Sequence, residues 1–321
     1  MKSLEPAHII VVKPGWFSTV QDAGRYGYQQ YGVSVSGAMD RRSYILANRL
    51  VGNRDHDAAL ELTLKGPELL FEQDSVVAVT GADLTPYVDG RDIPLWTSLL
   101  VKAGSRLTFG TRRRGARSYL AIAGGVDVPM VLGSRSTHIA SQTGGVKGRV
   151  LAQGDVLVGG MPSPHQRATI GRHLPEPLRP IYSTDATLRI MSGPQRASFS
   201  KQAFETLTTN AFRISSQSDR MGYRLEGPRI AHENRAQWIS DGTAMGALQV
   251  PADEQPILLM ADRQTTGGYP KIAVVVSVDL HLAAQLLPGD TLVLRMATLP
   301  EAQAAMKAEW KTLDQAIPPQ S

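Results

Sequence analysis

Apolar residues in this chain come in short runs, and nearly every run is closed by glycine, proline or aspartate. In the first half they occupy residues 9–12, 69–71, 76–79, 99–101 and 119–122. Runs this short, bounded by residues that break regular structure, predict β-strands. Helical spacing predicts four helices. Residues 39–51 set Tyr44, Ala47 and Val51 on one face, and Gly52-Asn53 offers a left-handed stop. Phe199, Ala203, Phe204 and Leu207 mark a second helix, and residues 279–287 a short third with Asp279 at its start. The fourth spans residues 299–316; it opens on Thr298-Leu299-Pro300-Glu301, a capping-box pattern, and its stripe of Ala302, Met306, Trp310 and Leu313 reads as packing.

A weak internal echo accompanies the strands. Gly104-Ser105, Gly154-Asp155 and Gly289-Asp290 each stand just ahead of a strand-like segment. Such a turn lets the chain corner into the next strand, as in small barrels. One copy falls in the second half, so similar β-units are expected in both. The polar stretch Gln264-Thr265-Thr266-Gly267-Gly268-Tyr269-Pro270 stands out because it interrupts two apolar runs, 257–262 and 272–276. Its hydroxyls and amide can bind, and its paired glycines permit backbone angles closed to other residues and let a ligand approach the main chain. A bulged hairpin satisfying its own backbone is the plainer alternative.

Length then sets the organisation. At 321 residues the chain suits two domains. Pro162, Pro164, Pro175, Pro177 and Pro180 mark residues 161–187 as a linker or long connection, giving a β-rich, barrel-like domain over 1–160, a second barrel domain over 188–297, and a C-terminal helix and tail over 298–321. With 30 glycines, 20 prolines and 6% aromatics, the fold class expected is mainly β with a few helices, a β-rich α+β chain with two barrel-type domains.

The absence of cysteine excludes disulfides, thiol nucleophiles and cysteine-ligated metal. Histidine spacing offers no metal pair, and no phosphate-binding loop, dinucleotide fingerprint or nucleophile elbow is present. The N-terminus lacks a signal-peptide core and no run reaches the ~18 apolar residues of a membrane span, so a cytoplasmic protein is expected. Net charge is +5, mostly from arginine, and Arg112-Arg113-Arg114 reads as a solvated turn rather than a nucleic-acid patch. Scattered arginines in Gly/Ser/Thr loops fit recognition of carboxylate or phosphate on a small molecule.

Those loops are Thr19-Val20-Gln21-Asp22-Ala23-Gly24-Arg25, Ser36-Gly37-Ala38-Met39-Asp40, Gly133-Ser134-Arg135-Ser136-Thr137 and Ser216-Gln217-Ser218-Asp219-Arg220-Met221-Gly222, besides residues 264–270. Taken singly, Asp22/Arg25 and Asp219/Arg220 read best as turn salt bridges of small consequence. Together the loops make at least one ligand site an expectation.

In order along the chain, residues 19–25, 36–40, Ala47-Asn48-Arg49-Leu50-Val51-Gly52-Asn53, Ser218-Asp219-Arg220-Met221-Gly222-Tyr223-Arg224-Leu225 and 264–270 resemble the KipA family. This family is also called the second subunit of allophanate hydrolase, or the biotin-dependent carboxyltransferase family, and it includes one component of bacterial ATP-dependent 5-oxoprolinase. The resemblance runs from about Val11 to Arg295 and implies a cyclophilin-like β-barrel architecture. It implies a KipI-like partner protein and, in 5-oxoprolinase, a LamB-like partner as well. The implied reaction opens 5-oxoproline to glutamate with ATP hydrolysis, ATP being bound in the complex rather than by a known loop of this chain. Two alternatives stay open: a carboxyltransferase component using biotin supplied by another polypeptide, and a KipA-like regulatory protein binding a KipI-like kinase inhibitor. Gln21, Arg25, Arg220, Gln264, Thr265, Thr266, Gly267, Gly268 and Tyr269 in the family-matching loops, together with Arg135 of the loop 133–137, are expected to bind substrate. Asp22 or Asp279 is expected to orient water or a partner group.

Overall fold

The short apolar runs become strands. A computed structural model, describing residues 4–233 and 239–320, divides into two units. The first comprises Met1–Arg25, Ser36–Tyr182 and Thr312–Ser321, the second Tyr26–Val35 and Ser183–Lys311.

The first unit contains β1 (His8–Lys13), β2 (Phe17–Gln21), α1 (Arg41–Leu50), β3 (Ala59–Thr63), β4 (Glu68–Phe71), β5 (Ser75–Asp83), β6 (Pro86–Val88), β7 (Arg91–Asp92), β8 (Ser98–Val101), β9 (Arg106–Phe109), β10 (Arg114–Ile122) and β11 (Val156–Val158). They form a six-stranded sheet, β11-β1-β4-β9-β6-β7, and a five-stranded sheet, β2-β3-β10-β5-β8. Val11, Phe71 and Leu107 from the first meet Leu62, Val79 and Leu120 from the second in one apolar core. Helix α1 lies against β5 and β10, so these strands are covered on both faces. This is why β5 reads as an unbroken apolar run instead of alternating.

Helix α1 starts where Asp40 accepts from Ser43 N at 2.9 Å and Ser43 Oγ at 2.6 Å, and it ends on Gly52 at φ 74°. Tyr182 OH donates to the same Asp40 at 3.1 Å, and Tyr119 OH donates to Glu61 at 2.7 Å. Burial pushes both phenols well up, which keeps them protonated donors. Residues 161–182 thus belong to the first unit. Their prolines cannot donate to a ladder, and side chains anchor them: Gln166 Nε2 donates to Asn53 Oδ1 at 2.6 Å, and Arg42 to Leu178 O at 2.8 Å.

The second unit contains β12 (Asp185–Ser192), α2 (Lys201–Thr209), β13 (Ala211–Ile214), β14 (Gly222–Glu226), β15 (Asp241–Gly242), β16 (Ala247–Gln249), β17 (Ile257–Leu259), β18 (Thr266–Gly267), β19 (Lys271–Val275), α3 (Leu280–Ala283) and β20 (Thr291–Met296). Seven of these strands close a barrel in the order β12-β19-β16-β17-β14-β13-β20. Closure comes from the parallel pairing of β12 with β20, from Asp185↔Thr291 to Ile190↔Met296. Helix α4 (Leu299–Ala316) begins in this unit and ends in the first. No helix among the described residues is long and apolar enough to cross a membrane.

The corner turns are real. Gly104, Gly154 and Gly289 sit at φ 86°, 84° and 95°, and a Cβ at any of them would meet nothing within 4 Å. Backbone angle, not space, is what requires glycine there.

Candidate functional site

In the first unit, the loop after β2 and the segment 131–137 form one polar knot around Asp22. Its Oδ1 accepts from Gly24 N at 2.9 Å, from Ser134 Oγ at 2.7 Å and from Ser136 Oγ, and its Oδ2 accepts from Arg135 N at 2.6 Å. Arg25, almost wholly buried, donates Nε to Val131 O and Nη2 to Ser136 O, each at 2.9 Å. Arg135 donates Nε to Val128 O at 3.0 Å and Nη2 to Asp127 at 2.9 Å. Buried Gln21 donates Nε2 to Thr19 Oγ1 and Thr137 O, both at 3.1 Å. The loops read separately in the sequence are thus two halves of one clasp. Both oxygens of Asp22 are committed to protein donors, which is the arrangement of a carboxylate that fixes a loop.

Asp279, in the second unit, is engaged the same way. Arg189 gives it N at 2.7 Å and Nε at 2.9 Å on Oδ2, and Nη2 at 2.6 Å on Oδ1. Arg220 reaches beyond its own turn: its Nε and Nη2 meet Asp262 at 2.8 and 3.0 Å, both residues being buried. Asp219 instead accepts from Met221 N at 2.7 Å.

The loop 264–270 sits inside a larger polar cluster of the second unit. Strand β18 pairs with β15, setting Thr266 opposite Gly242 and Gly267 opposite Asp241. Thr243 donates N to Thr265 O at 3.0 Å and its hydroxyl to Gln264 O. Gln264 Nε2 donates to Gln249 Oε1 at 3.1 Å. Lys271 is buried where the loop runs into β19, and its Nζ donates to Asp241 Oδ2 at 3.2 Å and Gly242 O at 3.1 Å. The lysine's hydrogen bond, then the Gly242 amide, holds the Asp241 carboxyl below its ordinary range. Thr266, Gly268 and Tyr269 are exposed.

Gly267 and Gly268 do not use the backbone freedom they offer: neither has a positive φ. The requirement at Gly267 is space. A Cβ there would stand 2.4 Å from Gln249 Nε2, a buried amide nitrogen with no hydrogen-bond partner. A buried donor left without a partner, packed against a main chain that carries no side chain, is the arrangement a ligand's acceptor completes.

Lys271, Asp241, Gln249 and the neighbouring Arg263 were not singled out in the sequence. One signal was there: a lysine directly after Pro270, opening an otherwise apolar strand. Asp241 and Gln249 carry no comparable mark, because only strand pairing brings them to the loop.

The fold defines a class first: a mainly β protein with, among the described residues, a closed seven-stranded barrel, additional sheets and four α-helices. The chain belongs to the family described as carboxyltransferase domain, subdomain A and B, whose model matches residues 31–296. It is 38% identical over 308 residues to the C subunit of 5-oxoprolinase from Escherichia coli, covering 95% of this chain and 96% of that one. It is 35% identical to "Urea amidolyase" of Saccharomyces cerevisiae, covering 90% of this chain and 16% of that one. Among solved structures, the K. lactis urea amidolyase superposes with a TM-score of 0.91 at 33% identity, covering 97% of this chain and 20% of its own.

Proposed function

We propose that the chain is the corresponding component of an ATP-dependent 5-oxoprolinase in the cytoplasm, acting with a KipI-like protein and a LamB-like protein. The complex would convert 5-oxoproline, ATP and two water molecules into L-glutamate, ADP and phosphate. The observation that carries this reading is the likeness to the E. coli protein over nearly the full length of both chains. The second unit supplies fitting chemistry. Phosphorylation of the lactam oxygen by ATP releases ADP and makes the ring carbon electrophilic. Water adds to that carbon, the ring C–N bond breaks with the nitrogen leaving as the amine, and a second water hydrolyses the resulting acyl phosphate to glutamate and phosphate. The Gln249 amide and the Lys271 ammonium are donors for the lactam oxygen, and Thr266, the Gly267-Gly268 main chain and Tyr269 position the ring. Gln21, Asp22, Arg25 and Arg135 hold the loop of the first unit, and Asp279 and Arg220 hold the barrel, as positioning residues. ATP is a substrate of the complex, and no residue of this chain is assigned to it.

The test is reconstitution with both partner proteins and measurement of ATP-dependent glutamate release from 5-oxoproline. No release from a correctly assembled complex overturns the reaction. The family match and the urea amidolyase likeness favour a second reading, a carboxyltransferase component receiving carboxyl groups from biotin on another polypeptide. Inhibition by avidin would select it. Tight binding to the KipI-like protein with no turnover in any mixture would instead leave a regulatory role.

A further inference from the structure

Two cations reach the polar cluster of the second unit, and the protein neutralises one of them. Lys271 has Asp241. Arg263, half-buried immediately before Gln264, gives its guanidinium only neutral main-chain acceptors: Nη1 donates to Met260 O at 3.3 Å and Nε to Thr243 O at 3.5 Å. The adjacent carboxylate, Asp262, is taken on both oxygens by Arg220. Among the described residues Arg263 makes no ion pair, and its Nη2 donates to none of them. Burial pulls its pKa below the ordinary value. A desolvated charge facing two long bonds to neutral carbonyls is under-compensated, and an anion bound against the fork would restore the balance.

The location gives that anion a context. Thr243, whose carbonyl Arg263 touches, is the residue that ties down Gln264 and Thr265, and Gln264 in turn bonds Gln249, whose amide packs against Gly267. Arg263 therefore joins the cluster through Thr243, with the neutral donor of Gln249 and the paired ammonium of Lys271 further along it.

We infer that Arg263 is the anion-anchoring residue of this cluster, its Nη2 edge taking one oxygen of a carboxylate or phosphoryl group on the ligand whose uncharged part meets Gln249 and Gly267. Assigning the carboxylate to 5-oxoproline rests on the function proposed above; the anion site does not.

The experiment is calorimetric binding to the full chain, alone and assembled with its partners, for the wild type, Arg263→Gln and Arg263→Lys. The probes are 5-oxoproline, 2-pyrrolidinone (the same lactam without a carboxylate) and inorganic phosphate. Arg263→Gln is expected to weaken an anionic probe by about tenfold or more, Arg263→Lys to restore part of the loss, and 2-pyrrolidinone to bind all three alike. Loss confined to 5-oxoproline assigns the subsite to a carboxylate, and loss confined to phosphate assigns it to a phosphoryl group. The inference is overturned if both anions bind Arg263→Gln as they bind the wild type, or if the wild type binds neither. It is equally overturned if the loss falls as heavily on the uncharged lactam, which would mark a residue that only braces Met260 and Thr243. A complex that binds 5-oxoproline through Arg263 yet releases no glutamate refutes the proposed reaction and leaves the subsite standing.

Discussion

At the level of single residues, Asp22 and Asp241 are carboxylates in opposite settings, one buried and one exposed. Asp22 has every donor it can hold, so Asp22→Ala strands two serine hydroxyls and two amides in a buried site. A loss of about 3 kcal/mol is expected, read as a lowered midpoint in urea unfolding. Asp241 is exposed and bound to Lys271, and its folded-state pKa is depressed. A depressed carboxyl contributes stability above its unfolded value of about 3.9 and loses it as pH falls through the folded one. Thermal melts between about pH 7 and 3 should therefore show a steeper decline for the wild type than for Asp241→Asn; parallel declines would contradict this. Gly267→Ala tests the close packing of this main chain on Gln249. Its φ is not left-handed, so the cost is steric: the methyl group must displace the Gln249 amide, ligand binding should fall, and unchanged binding would show that this amide takes no part in it.

Among the elements, the corner turns and caps are the local features whose consequences can be measured one at a time. Gly154→Ala and Gly289→Ala meet no steric obstacle, so each should cost only the left-handed backbone term, about 1 kcal/mol in chemical denaturation. The capping box of α4 is formed as its sequence implies: Thr298 N donates to Glu301 at 2.7 Å, and Glu301 N to Thr298 Oγ1 at 3.3 Å. Thr298→Ala should cost about 1 kcal/mol. These elements were legible because their causes lie within four residues of each other. The short third helix was legible only in part. Expected over 279–287, it is a 3-10 turn running into α3 at Leu280–Ala283, since Asp279 is drawn to Arg189 of β12 and does not cap.

For the molecule as a whole, the first unit gathers segments far apart in sequence. Arg49, at the end of α1, holds Asp55 through Nε and Nη2 and reaches Asp314 at 2.6 Å and Ile317 O at 3.2 Å. Both acids are partly exposed, so Arg49→Met should cost about 2 kcal/mol, less than a fully buried pair, with earlier protease cleavage near residue 314 as the readout. The β-rich class, the strands, the α4 capping box and the corner glycines were fixed by chemistry local to the chain: apolar spacing, missing amides and permitted backbone angles. The partners were not. Residues 26–35 join the second unit and 161–182 the first, and Lys271 finds Asp241 across the pairing of β15 with β18. Which side chain a buried charge meets depends on strand register, where a slip of one residue turns every side chain to the opposite face, and register is settled only when the whole core packs.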